Sequence, residues 1–509
     1  MLRLRPGDED TICALATAPG VGAIAVVRLS GSRSFEMARK VAPFLPASAK
    51  IQSHHAYFVT RVAVDRQNLA ASGASTANFQ KSSVISTRDV AGELPATRAH
   101  GSFAASFDEA LVTTFIRGKS FTGEESVEFS VHGGTQISGR LLEELISGGA
   151  RLAKPGEFTY RAYINDKIDL VQAESILSLI ESRSTDSSAN ALAQLKGELS
   201  GKFLEIEDDL VWIGAQLEAS IDFSSDGIEL KPSQDLLDRA ARLEAKVAAL
   251  LGTYGKGRVL RDGLTVAFVG APNAGKSSLL NAVVEDNRAI VTDQPGTTRD
   301  LIEVETRLEG TPIRWVDTAG IRASKDVAEQ LGVELSLKLR KEADIVAVVI
   351  DMSDKNWREQ LSNFVREAQQ ADGREEWYVF NKADLDRSGE WRATVESEAE
   401  RLGVGSRAIF VSAKTGAGVR ELKEAVMSPL REKTFLQGGV AITQARHVEG
   451  LQTIQNALHK ALELIKKDVS PELIAFELTV AVKAVHELLG KVFHEQVIDR
   501  IFKEFCLGK

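Results

Sequence analysis

The sequence contains little cysteine, no long apolar run and no excess of positive charge. Its 509 residues include two cysteines, Cys13 and Cys506, too few for a disulfide framework or a cysteine-based zinc site. This usage is typical of a reducing cytosol, and we expect a cytoplasmic protein. The densest apolar run, Ile345 to Ile350, ends at Asp351, well short of the roughly 18 residues that a membrane span needs.

The charge balance excludes a protein that holds nucleic acid through its overall charge. There are 62 Lys and Arg residues against 71 Asp and Glu residues, so the net charge is −9. The composition is otherwise ordinary for a globular protein, with 43% apolar and 26% charged residues, which excludes collagen-like and fully disordered chains. At roughly 150 residues per domain, the length predicts about three or four domains.

The first part of the chain predicts an α+β domain over residues 1–153. Apolar runs at Ala23 to Leu29, 56–64 and 109–117 predict strands, and 136–145 predicts a helix. Residues 66–88 are rich in Ser, Ala, Thr and Asn and lack apolar periodicity. We expect them to form a mobile surface insertion.

The remainder predicts two helical segments on either side of an α/β domain. Apolar residues recur at helical spacing over 154–262, and again over 432–509, where we expect long helices at 443–468 and 472–505. Between them, strands and helices alternate over 263–431, the pattern of a doubly wound domain. The simplest arrangement is an α/β domain inserted into one helical domain.

A phosphate-binding loop is indicated at the start of the α/β domain. Gly270 to Ser277 fits G-x-x-x-x-G-K-[ST] directly after the strand Leu264 to Val269 and before a helical run. Backbone N–H groups of such a loop surround phosphate oxygens, Lys276 supplies positive charge, and Ser277 offers a hydroxyl to Mg²⁺. The alternative is a glycine-rich turn without a ligand, which the strand–loop–helix context disfavours.

Three further segments at strand ends predict GTP as the ligand. Asp317 to Gly320 follows one strand, Asn381 to Asp384 a second, and Ser412 to Lys414 a third. The Asp384 carboxylate can accept from guanine N1–H and its exocyclic amine, whereas adenine has no such pair of donors. The expected nucleotide contacts are Asn273, Ala274, Gly275, Lys276, Ser277, Ser278, Thr292, Asp293, Gln294, Pro295, Gly296, Thr297, Thr298, Asp317, Thr318, Ala319, Gly320, Asn381, Lys382, Ala383, Asp384, Ser412, Ala413 and Lys414.

The hydrolytic device differs from that of Ras-like proteins. Ile321 follows Gly320, where those proteins place a water-orienting glutamine. We expect Thr298 to complete the Mg²⁺ shell with Ser277. Glu329 lies 12 residues after Asp317 among several acidic residues, and spacing alone favours a solvated helix face for it.

Taken together, these motifs resemble the tRNA-modification GTPase MnmE (TrmE) family over nearly the whole chain. The segments that carry the resemblance outside the α/β domain are Pro19 to Gly31, Phe121 to Glu125, His132 to Gly134, Lys154 to Glu174 and Phe505 to Lys509. The insertion at 66–88 is the main departure from the family.

The resemblance implies a chemistry carried out with a partner. In this family, the protein and an FAD-dependent partner of the MnmG (GidA) type modify C5 of the wobble uridine, position 34, of certain tRNAs. The product is an aminomethyl or carboxymethylaminomethyl form, and the carbon comes from 5,10-methylene- or 5-formyl-tetrahydrofolate. By motif position the folate contacts are Arg28, Glu128, Lys167 and Lys509. A homodimer joined through the N-terminal domain, and a heterotetramer with the partner, are implied as well.

The family hydrolyses GTP with K⁺ bound where two such domains meet, which suits a chain without the glutamine. The resemblance makes Asn273, Thr292, Gln294 and Thr297 the K⁺ ligands. It also makes Glu329, Arg299 and Cys506 catalytic, with Glu329 orienting water, against the preference from spacing alone. A nucleophilic and a structural role for Cys506 both remain open.

Two other functions deserve comparison. An RNA-binding or ribosome-assembly switch, as in the Era and Der families, would carry an RNA module or a second such domain, and neither is visible after residue 431. A regulatory switch with folate as a structural ligand is the other. Because the net charge is negative, we expect the FAD-dependent partner to supply most of the contacts with tRNA.

Overall fold

The computed structural model describes most of the chain as two compact units. The first unit consists of Met1–Leu177 and His486–Lys509, and the second of Ser178–Val485. Among the helices that the structure describes, none is long and apolar enough to cross a membrane. The described residues are 10–43, 45–62, 84–86, 107–225, 234–285, 302–317, 339–340, 343–369, 375–432, 439–467, 469, 471–492, 495–506 and 508.

Within the described residues, the first unit contains a seven-stranded sheet in the order β4-β3-β5-β6-β2-β1-β7. Its strands are β1 (Ile12–Leu15), β2 (Ile24–Ser30), β3 (His55–Val62), β4 (Val84–Ser86), β5 (Asp108–Phe115), β6 (Ser126–His132) and β7 (Arg151–Leu152). All neighbours pair antiparallel except β1 and β7. Helices α1 (Ser34–Val41) and α2 (Thr135–Ser147) pack on one face.

Alternation along β2 sets the two faces of this sheet. Val27 and Leu29 are fully buried in a core that includes Phe129 of β6 and Leu141 of α2. The residue between them, Arg28, therefore lies on the opposite face. The predicted strands and helix of this region are confirmed, with ends that differ by one or two residues, because their apolar periodicity is strong.

The insertion at 66–88 includes one strand that the prediction missed. Val84–Ser86 pairs antiparallel with β3 at the sheet edge, with Val84 opposite Tyr57. The expectation of a mobile surface insertion did not include this edge strand, which extends the sheet beyond β3. The rest of 66–88 lies outside the described residues.

The C-terminal end of the chain packs within the first unit. Helix α3 (Glu157–Ile164) contacts the C-terminal helix (Glu495–Lys503), where the ring centroids of Tyr160 and Phe502 are 5.5 Å apart. The expected single helix over 472–505 was wrong, because it ends at Leu489. Gly490 has φ +76°, and a Cβ there would lie 2.6 Å from the Tyr163 hydroxyl oxygen, so the turn requires glycine.

The second unit contains helices both before and after its sheet. The boundary between the units falls within α4 (Leu170–Glu181), which α5 (Thr185–Leu195), α6 (Glu198–Ser225), α7 (Gln234–Leu251) and α8 (Tyr254–Asp262) follow. The side chain of Asn190 on α5 donates to the Ala441 carbonyl at 3.2 Å and accepts from the Ala441 N–H at 2.8 Å. A helix that precedes the sheet in sequence thus contacts the segment that follows the sheet and leads into the last helices of this unit.

The sheet of the second unit has six strands in the order β13-β12-β11-β8-β10-β9, parallel except at β9. They are β8 (Leu264–Val269), β9 (Ile302–Leu308), β10 (Thr311–Asp317), β11 (Ile345–Asp351), β12 (Glu375–Asn381) and β13 (Ala408–Phe410). The helices between and after them are α9 (Lys276–Glu285), α10 (Trp357–Gln369), α11 (Glu390–Arg401) and α12 (Val419–Glu432).

Both faces of this second sheet are covered. Phe268 of β8 packs in one core with Leu279 of α9, while Val348 of β11 packs in another with Leu361 of α10. Strands that are buried on both sides read as continuous apolar runs, as Ile345–Ile350 does. The expectation of a doubly wound α/β fold is confirmed. Two further helices, α13 (Ala445–Lys466) and α14 (Pro471–Leu489), follow, and α13 packs against α7.

Candidate functional site

The carboxyl ends of the parallel strands bring the sequence motifs together. Gly270 follows β8, Asp317 ends β10, and Asn381 ends β12, all at one edge of the sheet. In open α/β sheets this edge is where ligands bind. The topology therefore places the segments that sequence reasoning singled out around one site.

The loop after β8 has a backbone that only small residues allow. Gly270 has φ +148°, and a Cβ there would lie 2.2 Å from the Val349 carbonyl oxygen. Gly275 has φ +94°, and its Cβ would lie 2.2 Å from Nδ2 of Asn381. Asn273 takes φ +63° without being glycine. Such a loop exposes successive N–H groups at the start of α9, which is the geometry that binds phosphate.

Lys276 is held inside this loop. It is 6% exposed, and its Nζ donates to the carbonyls of Gly270 at 2.9 Å and Ala271 at 3.0 Å. Burial lowers the pKa of Lys276, and the charge of Asp317 partly opposes that effect. A bound phosphate would favour the charged form, so this ammonium group is suited to a phosphate ligand.

Ser277, one of the two residues expected to hold magnesium, lies against Asp317. The Ser277 hydroxyl donates to Oδ2 of Asp317 at 2.5 Å, and Asp317 is fully buried. A hydroxyl and a carboxylate are oxygen donors of the kind that Mg²⁺ prefers, and its few protein ligands leave positions for phosphate and water. This pair fits a magnesium ion next to the phosphate loop.

Asn381 connects the phosphate loop with the segment after β13. Its side chain is 2% exposed, its Nδ2 donates to the Ala274 carbonyl at 2.9 Å, and its Oδ1 accepts from the Ala413 N–H at 3.1 Å. Both ends of the amide are satisfied, so the two loops keep a fixed spacing.

Asp384 presents a carboxylate beside the same loops. The Ser412 hydroxyl donates to Oδ1 of Asp384 at 2.6 Å. That bond orients the carboxylate and leaves its other oxygen and further lone pairs for a ligand. Asp384 is half-buried, and Lys414 is exposed.

Sequence reasoning missed Asp351 at this edge. Its Oδ2 accepts from Nζ of Lys382 at 2.5 Å, and its Oδ1 accepts from the N–H of Ser353 at 2.9 Å. Burial raises the pKa of Asp351, but the hydrogen bonds from Lys382 and Ser353 outweigh it and hold that pKa below its ordinary value. Lys382 has φ +64°, and the ion pair fixes this left-handed residue. The sequence feature that could have identified Asp351 is its position directly after the apolar strand Ile345 to Ile350.

Other expected contacts divide into described and undescribed residues. Ser278 is exposed on α9, and Ala383 is half-buried in the turn after β12. The following expected residues lie outside the described residues: Thr292, Asp293, Gln294, Pro295, Gly296, Thr297, Thr298, Arg299, Thr318, Ala319, Gly320 and Glu329.

A second group of expected residues meets on the face of the first sheet opposite α1 and α2. Arg28 lies directly opposite Glu128 in the pairing of β2 with β6, and its Nε donates to Oε1 of Glu128 at 2.8 Å. The Arg28 guanidinium lies 5.8 Å from the ring centroid of Phe121 and 5.6 Å from that of Phe158. A half-buried ion pair between aromatic rings can bind a flat heterocycle through stacking and paired hydrogen bonds.

Lys167 and the C-terminal residues belong to the same unit. Nζ of Lys167 donates to the Gly118 carbonyl at 3.0 Å. Gly508 has φ +91°, and a Cβ there would lie 2.0 Å from the Leu15 carbonyl oxygen, so the chain end lies against β1. Lys509 lies outside the described residues.

The two cysteines differ in environment. Cys506 is exposed in the turn after the C-terminal helix, next to the buried Phe505. Cys13 is fully buried, and burial raises its pKa to about 11, against a smaller lowering by Arg151. Cys13 is therefore part of the core of the first unit.

The second sheet and its loops define a P-loop nucleotide-binding domain of Ras-like topology. Comparison with known proteins identifies the regions outside this domain as well. The family model described as the GTP-binding protein TrmE N-terminus matches residues 11–167, and that described as the MnmE helical domain matches residues 170–506.

Proteins named tRNA modification GTPase MnmE are similar along their full length. That of Bdellovibrio bacteriovorus is 38% identical over 99% of this chain and 98% of its own, and that of Bacillus subtilis 33% over 98% and 100%. The chain therefore belongs to the MnmE family.

Among solved structures, a G domain of the T. maritima FeoB iron transporter is 24% identical, covering 32% of this chain and 97% of its own with a TM-score of 0.25.

Proposed function

We propose that this chain binds and hydrolyses GTP and acts in tRNA modification. The observation that carries the nucleotide assignment is the arrangement of Lys276, Asn381 and Asp384 at one sheet edge. A phosphate loop and a base-recognising carboxylate are held at fixed spacing by Asn381. The activity named for the relatives in its family agrees with this assignment.

Guanine is the base that this carboxylate favours. Guanine presents N1–H and an exocyclic amine side by side, and both can donate to Asp384. Adenine would leave the carboxylate unpaired, and sites built to pair a group reject ligands that lack its partner by large factors. The bond from Ser412 holds the carboxylate in place for this pairing.

Hydrolysis proceeds in this proposal without a Ras-type glutamine, since Ile321 follows Gly320. Ser277 and Thr298 hold Mg²⁺. Family resemblance assigns K⁺ to the loop of Asn273 with three residues of the following segment, and makes Glu329 the residue that orients water. A cation next to the phosphates can stabilise the charge that develops there, as an arginine finger does. The K⁺ ligands other than Asn273 are Thr292, Gln294 and Thr297, and Arg299 is a further catalytic candidate.

The first unit binds tetrahydrofolate in this proposal. Arg28 and Glu128 offer the donors and acceptors that the edge of a pterin needs, and Phe121 offers a ring on which it can stack. Lys167 and Lys509 supply positive charge for the carboxylates of the folate. Cys506 lies in the chain end that packs within this unit, which supports a role in the one-carbon chemistry.

The complete reaction requires partners. With an FAD-dependent partner, a homodimer of this chain would add an aminomethyl or carboxymethylaminomethyl group to C5 of the wobble uridine of certain tRNAs. We further propose that the helices before and after the α/β domain form one helical domain into which that domain is inserted. The bonds between Asn190 and Ala441 support this arrangement.

Reconstitution tests the proposal. The assay combines the purified chain, its FAD-dependent partner, unmodified tRNA, GTP with Mg²⁺ and K⁺, ammonium or glycine as the source of the amine nitrogen, and methylene-tetrahydrofolate labelled with ¹³C. The nucleosides are then analysed by mass spectrometry. We expect label at the wobble uridine, lost in Arg28→Gln but retained in the control Arg33→Gln, which removes an exposed guanidinium paired with Glu36. Absence of label with the unaltered chain, under conditions where it hydrolyses GTP, would refute the tRNA-modifying role.

A further inference from the structure

The loop between β5 and β6, residues 116–125, carries two exposed cations. Arg117 and Lys119 are exposed, and neither forms an ion pair within the part of the chain that the structure describes. Burial raises the pKa of Glu125, and the positive charge of Arg117 lowers that pKa by a smaller amount. Because Arg117 and Lys119 are exposed, their charges are available to a ligand.

Lys167 adds a third cation to the same loop. Its Nζ donates to the Gly118 carbonyl at 3.0 Å, between the two exposed cations in sequence. Its side-chain stem lies against Gly123, where an added Cβ would be 3.2 Å from Cγ of Lys167. The Gly118 N–H donates to the Gly123 carbonyl at 2.8 Å and closes the loop. We call three residues the loop cations: Arg117 and Lys119, which lie on this turn, and Lys167, which contacts it.

The rest of the loop is fixed to the sheet and reaches the Arg28 site. The Thr122 hydroxyl lies 2.7 Å from that of Ser30, and Glu124 accepts from Ser30 at 2.7 Å. Glu124 also accepts from the buried Arg161 at 3.1 Å. Phe121, in the middle of the loop, carries the ring that faces Arg28. The loop cations are therefore positioned beside the proposed folate site by buried contacts.

We propose that the loop cations bind the carboxylates of a poly-γ-glutamate tail, so that the preferred folate is a polyglutamylated form. This inference rests on the proposed folate site at Arg28 and Glu128. Each added glutamate brings one carboxylate on a flexible chain, and three separate cations around one turn match several such charges. Like charges repel one another, and a bound polyanion would relieve that repulsion.

The surroundings favour a short carboxylate tail over an RNA backbone. Glu125 and Glu128 lie on the same loop and the adjoining strand, and the chain as a whole has a net charge of −9. An extended phosphate backbone running across this surface would meet these negative charges. The tail of a folate bound at Arg28 is short and starts next to the loop that carries Phe121 and the loop cations.

Calorimetric titration of the full-length protein tests this proposal. The probes are the monoglutamate and the triglutamate of 5-formyl-tetrahydrofolate. The test variant is Arg117→Ser/Lys119→Ser. The control, Arg242→Ser/Lys466→Ser, removes one arginine and one lysine that are exposed on helices of the second unit. Binding of unmodified tRNA to each variant is measured in parallel.

We expect the unaltered protein to bind the triglutamate about three- to tenfold more tightly than the monoglutamate, since each exposed ion pair contributes modestly. The preference should weaken with added salt, fall to about twofold or less in the test variant, where only Lys167 remains, and persist in the control, while monoglutamate affinity stays the same. Equal affinity of the unaltered protein for both forms would overturn the inference and leave the folate site standing. No binding of either form would overturn the folate site itself. A test variant that loses tRNA affinity and keeps the triglutamate preference would assign the loop cations to RNA.

Discussion

Replacing Asp384 by asparagine should change which base the site accepts. The carboxylate has one oxygen bonded to the Ser412 hydroxyl at 2.6 Å and can accept from the two adjacent donors of guanine. In Asp384→Asn the negative charge is lost, and the amide NH₂ can face the two guanine donors, from which it cannot accept a hydrogen bond. Xanthine carries a carbonyl in place of the exocyclic amine of guanine, so the same NH₂ can donate to it.

The loss of guanine affinity can be estimated from the hydrogen bonds involved. Hydrogen bonds to a charged group contribute about 1.5–3 kcal/mol each, and two of them would be removed. Because Asp384 is half-buried, we reduce the sum to about 2–4 kcal/mol, a roughly 30- to 700-fold weaker binding of GDP. Xanthosine diphosphate should bind the variant more tightly than GDP does.

Fluorescence titration with GDP and xanthosine diphosphate measures both affinities. The control is Asp386→Asn, which makes the same change of charge two residues further on. Asp386 accepts from the N–H of Gly389 through one oxygen at 3.0 Å and from that of Arg392 through the other at 2.8 Å, and asparagine can keep one of these two bonds. The control Asp386→Asn should change GDP affinity by no more than about twofold. An Asp384→Asn protein that is folded and binds GDP as the unaltered chain does would refute the base-recognition argument.

Three further predictions concern other parts of the chain. Gly275→Ala should weaken nucleotide binding at least about tenfold, because the positive φ costs roughly 1–3 kcal/mol and the new Cβ would meet a buried amide; unchanged GDP affinity would contradict this. Iodoacetamide at pH 8 should label Cys506 in the native protein and Cys13 only in denaturant, since burial raises the Cys13 pKa to about 11; equal native labelling of both would contradict its burial. The hydrogen bond to Asp108 at 2.6 Å raises the pKa of His132, so NMR titration should show its protonated form persisting above the ordinary pKa and lost as pH rises through the raised value. Asp108→Asn should remove that shift, and a His132 that titrates alike in both proteins would contradict the pair.

The sequence predicts those parts of the fold that depend on local periodicity and on glycine. The strand Leu264–Val269 and the loop from Gly270 were predicted with the bounds that the structure shows, because a buried parallel strand is continuously apolar and the loop needs a positive φ. The break at Gly490 was missed. Tyr163, more than 300 residues away in sequence, donates to the Gly490 carbonyl and leaves no room for a Cβ at that position, and no local pattern reveals this contact.

The site shows the same division. Lys276 and Asp384 are recognisable from motifs whose chemistry depends on residue type and spacing. The contact of Asp351 with Lys382 depends on the order of strands across the sheet, which places β11 next to β12. Two of the loop cations, Arg117 and Lys119, likewise become candidate ligand contacts only because the structure places Phe121, on the same loop, beside Arg28.

The central claim is hydrolysis of GTP at this site, and its most direct test is the rate in KCl and NaCl at equal ionic strength. GTP and ATP are compared for the purified full-length protein, with Glu329→Ala and Lys276→Ala alongside. The account predicts hydrolysis of GTP and not of ATP, strong stimulation by K⁺, loss of that stimulation in Glu329→Ala, and loss of binding in Lys276→Ala. Equal rates with both nucleotides, or no hydrolysis of bound GTP in KCl, would contradict it.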